Sequence, residues 1–443
     1  MIAIRLKILF LIACFVEAIF LLVAQVLGST VLLIPCLICF LVLVVWSALK
    51  RMSVPVLMFF LPFATLLKMR PGTISFYTVA LFAAYVIYTV MGSRNLKVYH
   101  IIPALCLIAL TLAVRTFYGY SLENSYLLFC ATLLLLPFLA QELDGEYDFY
   151  WLTCFFALGI IVAAVTARQL TAFPTISRYI EVFDLFGARR YSGYYGDPNF
   201  YSAQITAAIG GVLVLLLNRM RAGQTVILVL LMAMLLYAGF MSVSKSFLLV
   251  TVVLLLLWGV SILFQKERLS AKLMVLLTFG FGVLFLLSST LFTDMIDTVI
   301  GRFSGNDSLS DLTTGRTELW MSYLKAFIED PALLLFGNGY VHVLVNERAS
   351  HNTIIQTVFQ FGLVGGLVLL AWVACYVRML LDDTRIRWDT LAQLCILCIG
   401  AFGPWMALDL LFFDDFFLVP VYVCVAIRFV TRRAMETEEI ETA

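Results

Sequence analysis

Charge is what this sequence has least of. Of its 443 residues only 13% are Asp, Glu, Lys or Arg, against about a quarter in an ordinary soluble domain. The net charge of +1 says little, because the placement of the few charges matters more than their sum. Walker loops, Rossmann glycine patterns and internal repeats are also missing, and no stretch reads as a soluble domain. Nucleotide-driven chemistry is thereby excluded, so the energy for any reaction must come from the substrate itself. No Asp-x-Asp occurs, and nothing in the chain suggests nucleic-acid binding.

Cysteine is present but in the wrong places for a framework. All ten thiols fall within apolar segments, including the pairs Cys36/Cys39 and Cys395/Cys398. Neither pair has His or carboxylate neighbours suited to a metal, so unreactive packing is the expected use. The expectation is no metal and no cofactor.

What remains is greasy. Hydrophobic residues make up 63% of the chain, and mean hydropathy is +1.02. The composition predicts an all-α, polytopic integral membrane protein. A spanning helix needs roughly 20 apolar residues. That length predicts spans near 8–27, 30–49, 53–67, 74–92, 99–117, 124–141, 148–167, 199–217, 225–241, 246–264, 273–293, 353–380, 389–410 and 414–431, a bundle of about 14 helices (12–14). The first is expected to be retained, since no small-residue cleavage site follows it closely. The third is short and carries Pro55 and Pro62, which predicts a broken or tilted helix. The chain then divides into N-terminal helices (1–167), a loop (168–198), central helices (199–293), a long loop with short helices (294–352), C-terminal helices (353–431) and a tail (432–443).

Lys and Arg placement sets the orientation. With the N-terminus in the cytoplasm, the inner segments hold the larger share of the 29 Lys and Arg residues, among them Arg5, Lys50, Arg51, Arg219, Arg221, Lys266, Arg385 and Arg432. Both termini are then cytoplasmic. Both long polar segments come out on the extracytoplasmic face, together with Ser242–Lys245 and the acidic positions Asp409, Asp414 and Asp415.

The residues with chemical promise therefore converge on one side. Asp197 before Pro198 is a good helix start, with the carboxylate capping free N–H groups. Arg189 and Arg190, among tyrosines and glycines at headgroup level, suit either a diphosphate, through the guanidinium fork, or anionic lipid. Farther on, an amphipathic helix is expected over Thr317–Phe327, with Leu319, Trp320, Tyr323, Leu324 and Phe327 on one face and Arg316 at its start. His342 stands in an alternating apolar stretch and reads as packing. At the start of the next span come His351 and Asn352, followed by Gly362 and Gly365. Imidazole titrates near neutrality and suits proton transfer at the water end of a helix. The glycines let a neighbouring helix or a lipid chain approach the backbone. A lone His at a helix start is otherwise an ordinary interfacial residue.

Five pieces in order carry a resemblance: Tyr195-Gly196-Asp197-Pro198-Asn199, Ser242-Val243-Ser244-Lys245-Ser246, Gly315-Arg316-Thr317-Glu318-Leu319-Trp320, Gly337-Asn338-Gly339, and His351-Asn352-x9-Gly362-x2-Gly365. Over residues 187–367 the chain resembles the O-antigen ligase and polymerase family. Lys245 departs from it where many relatives have Arg, which keeps the charge and removes the fork. The resemblance implies a glycosyltransferase of the bacterial inner membrane. Its donor would be an undecaprenyl-diphosphate-linked oligosaccharide and its acceptor a glycan or another lipid-linked chain, with a chain-length regulator as a further partner. Transfer would invert the anomeric centre. It also implies His351 as base and Arg316 as the leading diphosphate ligand, with Arg190, Arg189 and Lys245 next. Asn352, Asp197, Asn199, Ser244, Gly362 and Gly365 would bind substrate or shape the site. Polymerase is favoured over ligase only because polymerases are the commoner of the two. The competing class is a transporter or flippase of lipid-linked glycans, which also suits many spans; against it, charges within the spans are few.

Overall fold

The structure is a computed structural model. It describes residues 2–69, 75–92, 98–141, 148–180, 182–185, 188–218, 220–264, 315–341, 345, 348–381 and 388–442. Among them the helices are α1 (Ile2–Val26), α2 (Thr30–Leu49), α3 (Ser53–Phe60), α4 (Phe76–Gly92), α5 (Val98–Tyr118), α6 (Asn124–Gln141), α7 (Phe149–Leu170) and the short α8 (Pro174–Ser177). After a hairpin, β1 (Val182–Leu185) and β2 (Ala188–Tyr191), come α9 (Pro198–Leu217), α10 (Ala222–Met241) and α11 (Lys245–Phe264). Then follow α12 (Arg316–Glu329), α13 (Pro331–Phe336), α14 (Thr353–Leu381), α15 (Trp388–Phe402) with a 3-10 extension (Gly403–Ala407), and α16 (Asp415–Thr442).

Nine helices among the described residues are long and apolar enough to cross a membrane. The chain is an α-helical, multi-pass membrane protein. The span expected at 273–293, the stretch 294–314 and His342 lie outside the described residues.

Caps fix where several helices begin. Ser29 accepts from Leu32 N, Asp148 from Tyr150 N (3.1 Å) and Asp197 from Asn199 N (2.6 Å), with Pro198 in the first helical position. Helix α9 forms the centre of the bundle and is buried along nearly its whole length. Small residues make that possible. A Cβ on Gly400 of α15 would lie 2.8 Å from the Thr206 carbonyl oxygen and 3.2 Å from the Gly210 Cα, so α9 and α15 touch backbone to backbone.

Pro55 and Pro62 have the consequence expected of them. Only eight residues form α3, and a 3-10 turn (Leu61–Phe63) follows; all eleven are buried. This half-helix packs on α7 at Gly159, where a Cβ would collide with the Phe59 carbonyl. The carbonyls just past its end are taken by side chains: Gln25 Nε2 donates to Leu66 O (2.6 Å) and Ser75 Oγ to Ala64 O (3.0 Å). Irregular backbone at membrane depth requires such partners.

The two ends of the bundle are each tied together. At one, Lys7 pairs with Asp148 (3.2 Å) and Asn218 Nδ2 donates to Gln393 (2.9 Å). At the other, here called the outer end, Thr175 Oγ1 donates to Val26 O (2.7 Å), Tyr118 to Asp330 (3.4 Å) and Thr78 to Asp414 (3.3 Å).

Four features differ from the sequence reading. The 168–198 loop contains a two-stranded antiparallel hairpin pairing Phe183 with Arg190 and Asp184 with Arg189, strands too short to stand out by alternation. Helix α12 buries Leu319, Tyr323 and Phe327, but Leu324 is 47% exposed and leaves that face. Cys39, Cys106, Cys375 and Cys398 are exposed on the apolar exterior instead of packed inside. Finally, α14 is two helices joined at a break.

Candidate functional site

The break in α14 comes at Gly362, with φ 66° and ψ 179°. Only glycine takes that conformation readily. It frees carbonyls that the Gly337–Asn338–Gly339 turn collects: Asn338 N donates to Phe359 O (2.9 Å) and Gly339 N to Gln360 O (3.1 Å). Gln360 Nε2 returns a bond to Val341 O (3.0 Å). Gly365 sits one turn on against Phe361, Leu110 and Leu107. Both glycines thus pack this chain against itself, and Gly362 has backbone, not a lipid chain, upon it. Arg115, which no motif marked, locks the same turn. Its Nη1 donates to Gly339 O (3.2 Å) and Tyr340 O (2.9 Å), its other nitrogen to Ser121 O, and its guanidinium lies 4.4 Å from the Tyr126 ring centre.

The upper half of α14, residues 353–361, begins at Asn352. That side chain accepts from Ile354 N (2.9 Å) and Ile355 N (3.2 Å) while its Nδ2 donates to Met406 O (3.1 Å). The preceding residues are pinned to α12 and to the first turn of α14. Trp320 Nε1 donates to Ser350 O (3.0 Å), Tyr323 to Arg348 O (2.9 Å), and Ser350 Oγ to Gln356 (3.1 Å). Between two fixed neighbours His351 takes a left-handed backbone, φ 48°, a strained state of the kind that gathers at functional sites. Its side chain is 41% exposed, with Nδ1 3.7 Å from Asp409 Oδ1. That is an ion-pair separation, just beyond hydrogen-bond length. Asp409 is held from both sides through Thr353, whose hydroxyl donates to Leu408 O (2.6 Å) and accepts from Leu410 N (3.2 Å).

Arg316 opens α12 directly after Gly315, itself at φ 76°. Burial lowers the pKa of its guanidinium, while the carboxylates of Asp197 and Asp409 act in the opposite direction. Arg316 therefore sits within electrostatic reach of both acids. Asp197 thus caps α9 and acts on this cation through its charge as well.

A second cation is anchored to Asn199, two residues after Asp197 in the chain. Arg190 is buried on β2; its Nε donates to Ser242 O (3.2 Å) and its Nη2 to Asn199 Oδ1 (3.4 Å). Asn199 Oδ1 also accepts from Ser244 Oγ (2.9 Å), which bonds Ser246 (2.9 Å) and receives Ser202 Oγ (3.2 Å). The Ser242 carbonyl is presented by a turn with Val243 at φ 47°. Lys245, the first residue of α11, is half-buried. Arg189 is placed by its backbone only, across from Asp184.

Beneath lies a polar layer whose acids the sequence marked but whose partners it did not. Asp415 accepts from Tyr195 and from Gln204 Nε2 (2.9 Å). Asp414 receives Thr78, with Lys68 within electrostatic reach. Thr78, Gln204 and Lys68 belong to helices or turns with no polar pattern of their own.

Among the described residues no group of His, Cys, Asp and Glu could hold a metal ion. The chemistry available is that of a partly exposed imidazole with a carboxylate near one ring nitrogen and a guanidinium within electrostatic reach of that carboxylate: proton transfer in the neighbourhood of a fixed cation. Compared with known families and with curated proteins, the chain matches no family model and no curated relative.

Proposed function

We propose that the protein is a membrane glycosyltransferase of the O-antigen ligase and polymerase type, acting on an undecaprenyl-diphosphate-linked glycan at the extracytoplasmic face. The observation that carries this reading is the meeting of His351, Asp409, Arg316 and Asp197 at one end of the bundle. These four come from four separate chain segments. The polymerase reaction is preferred to the ligase reaction, on the prevalence of polymerases alone.

In this reading His351 Nε2 takes the proton from an acceptor hydroxyl as its oxygen attacks the anomeric carbon. The bond between that carbon and the diphosphate oxygen breaks on the opposite face, so the configuration inverts. Asp409 holds the Nδ1 side of the ring and stabilises the imidazolium that forms. Arg316 faces the leaving diphosphate, and Arg190 keeps the hairpin beside it in place. A fork of donors aimed at phosphate oxygens does there what a metal ion does elsewhere.

The test is His351→Ala in cells and in a purified system with a lipid-linked glycan donor. Expression and membrane insertion should be unchanged, because the side chain is partly exposed and not packed in the core. Transfer should fall by about 10²- to 10⁴-fold, as for loss of a general base. Wild-type transfer by the variant would refute the assignment. A transporter would instead move the lipid-linked glycan across vesicles with no new glycosidic bond formed by the wild type.

A further inference from the structure

We propose that a cleft between the outer ends of α7 and α10 binds the phosphate headgroup of an anionic membrane lipid. The site is separate from the His351 centre and does not depend on the reaction proposed there. The cavity has a volume of about 390 Å³, the size of small-molecule sites in general. Helix α7 supplies Arg168 and Gln169, one turn above Ala164 and Val165. Helix α10 supplies Tyr237, Ala238 and Met241, and the end of β2 supplies Tyr191.

The lining is divided by chemistry. Arg168, Gln169 and the tyrosine hydroxyls give donors to phosphate oxygens at the level where the helices leave the membrane. Ala164, Val165, Ala238 and Met241 give an apolar wall that a soluble anion has no use for. Val165 is 43% and Tyr237 49% exposed on the bundle exterior, so the cleft opens sideways, toward lipid. Arg168 donates to the Tyr237 hydroxyl, and among the described residues no carboxylate pairs with it. A cation in such a place is satisfied by a bidentate phosphate.

The strand separates this cleft from the other cluster. Successive strand residues point to opposite faces; Arg190 reaches Ser242 and Asn199, whereas Tyr191 lines the cleft. A bound headgroup would therefore press on the hairpin that carries Arg190.

The experiment uses the purified full chain in uncharged detergent, titrated with dioctanoyl phosphatidic acid and read by native mass spectrometry and calorimetry. One equivalent should bind saturably, and dioctanoylglycerol and inorganic phosphate should bind at least about tenfold more weakly, each lacking half of the complementary surface. Arg168→Gln should weaken binding by about tenfold or more, the worth of a charge-assisted contact. Ala164→Phe, which fills the wall and keeps the arginine, should do the same, so a folding failure of one variant leaves the other to decide. His351→Ala should bind like the wild type. Equal binding by wild type and both variants would overturn the proposal. So would inorganic phosphate binding as tightly as the lipid, which would mark a free-anion site, or loss of binding in His351→Ala, which would place the lipid at the other centre.

Discussion

Replacing Gly362 with Ala should cost far more than a methyl group ordinarily does. At φ 66° and ψ 179° an L-residue is strained by about 1–3 kcal/mol. The added Cβ would also stand 2.2 Å from the Leu335 carbonyl oxygen, 2.3 Å from its carbon and 2.4 Å from Phe336 N. These are backbone atoms, so no rotamer change clears them. The 335–340 segment would have to recede, stretching the bonds from Asn338 N to Phe359 O and from Gly339 N to Gln360 O. Each contributes about 1 kcal/mol. The total is roughly 3–5 kcal/mol, a large part of the 5–15 kcal/mol that holds a typical protein folded. Gly366→Ala is the control, since nothing lies within 4 Å of its would-be Cβ and Ala is the better helix former. Thermal unfolding of both purified variants, followed by detergent size-exclusion, should show Gly362→Ala losing several degrees and Gly366→Ala none. If Gly362→Ala melted with the wild type, the broken α14 described here would be wrong.

Asp409→Asn should slow glycan transfer by about 10- to 100-fold while the protein still inserts. Unit charges at the 3.7 Å of His351 and Asp409 attract by about 1 kcal/mol in water and about 4 kcal/mol at an effective dielectric of 20, and the exposed ring lies toward the lower value. An unchanged rate would remove Asp409 from the site. Arg316→Lys should impair transfer at least about tenfold in cells making normal amounts of protein, because the fork is lost and the charge kept; normal glycan would reduce Arg316 to a surface anchor. In a cysteine-free background, Glu123→Cys should react with an impermeant maleimide from outside the cell and Arg221→Cys should not. Both side chains are exposed, at opposite ends of the bundle, and the reverse pattern would invert the orientation and sink the extracytoplasmic reaction.

Much of this was determined by the sequence alone, and for identifiable reasons. Hydropathy sets the helices, because lipid requires every backbone group to be satisfied within the segment. Asp197-Pro198 marked a helix start that the structure caps as expected, since capping is a contact between near neighbours. Pro55 and Pro62 foretold the half-helix for the same local reason. The hairpin was too short to register, and the break at Gly362 looked like a packing glycine because its cause, the 337–340 turn, lies over twenty residues away in the chain. Thr353 fixing the Leu408–Leu410 backbone, Arg115 reaching Gly339, and Asp415 receiving Tyr195 and Gln204 are contacts between distant segments. No single-segment pattern encodes them. Tertiary structure alone decided that Asp409, one acidic residue among several on its turn, stands beside His351, because proximity across a bundle is set by how the helices pack and not by any residue's neighbours in the chain.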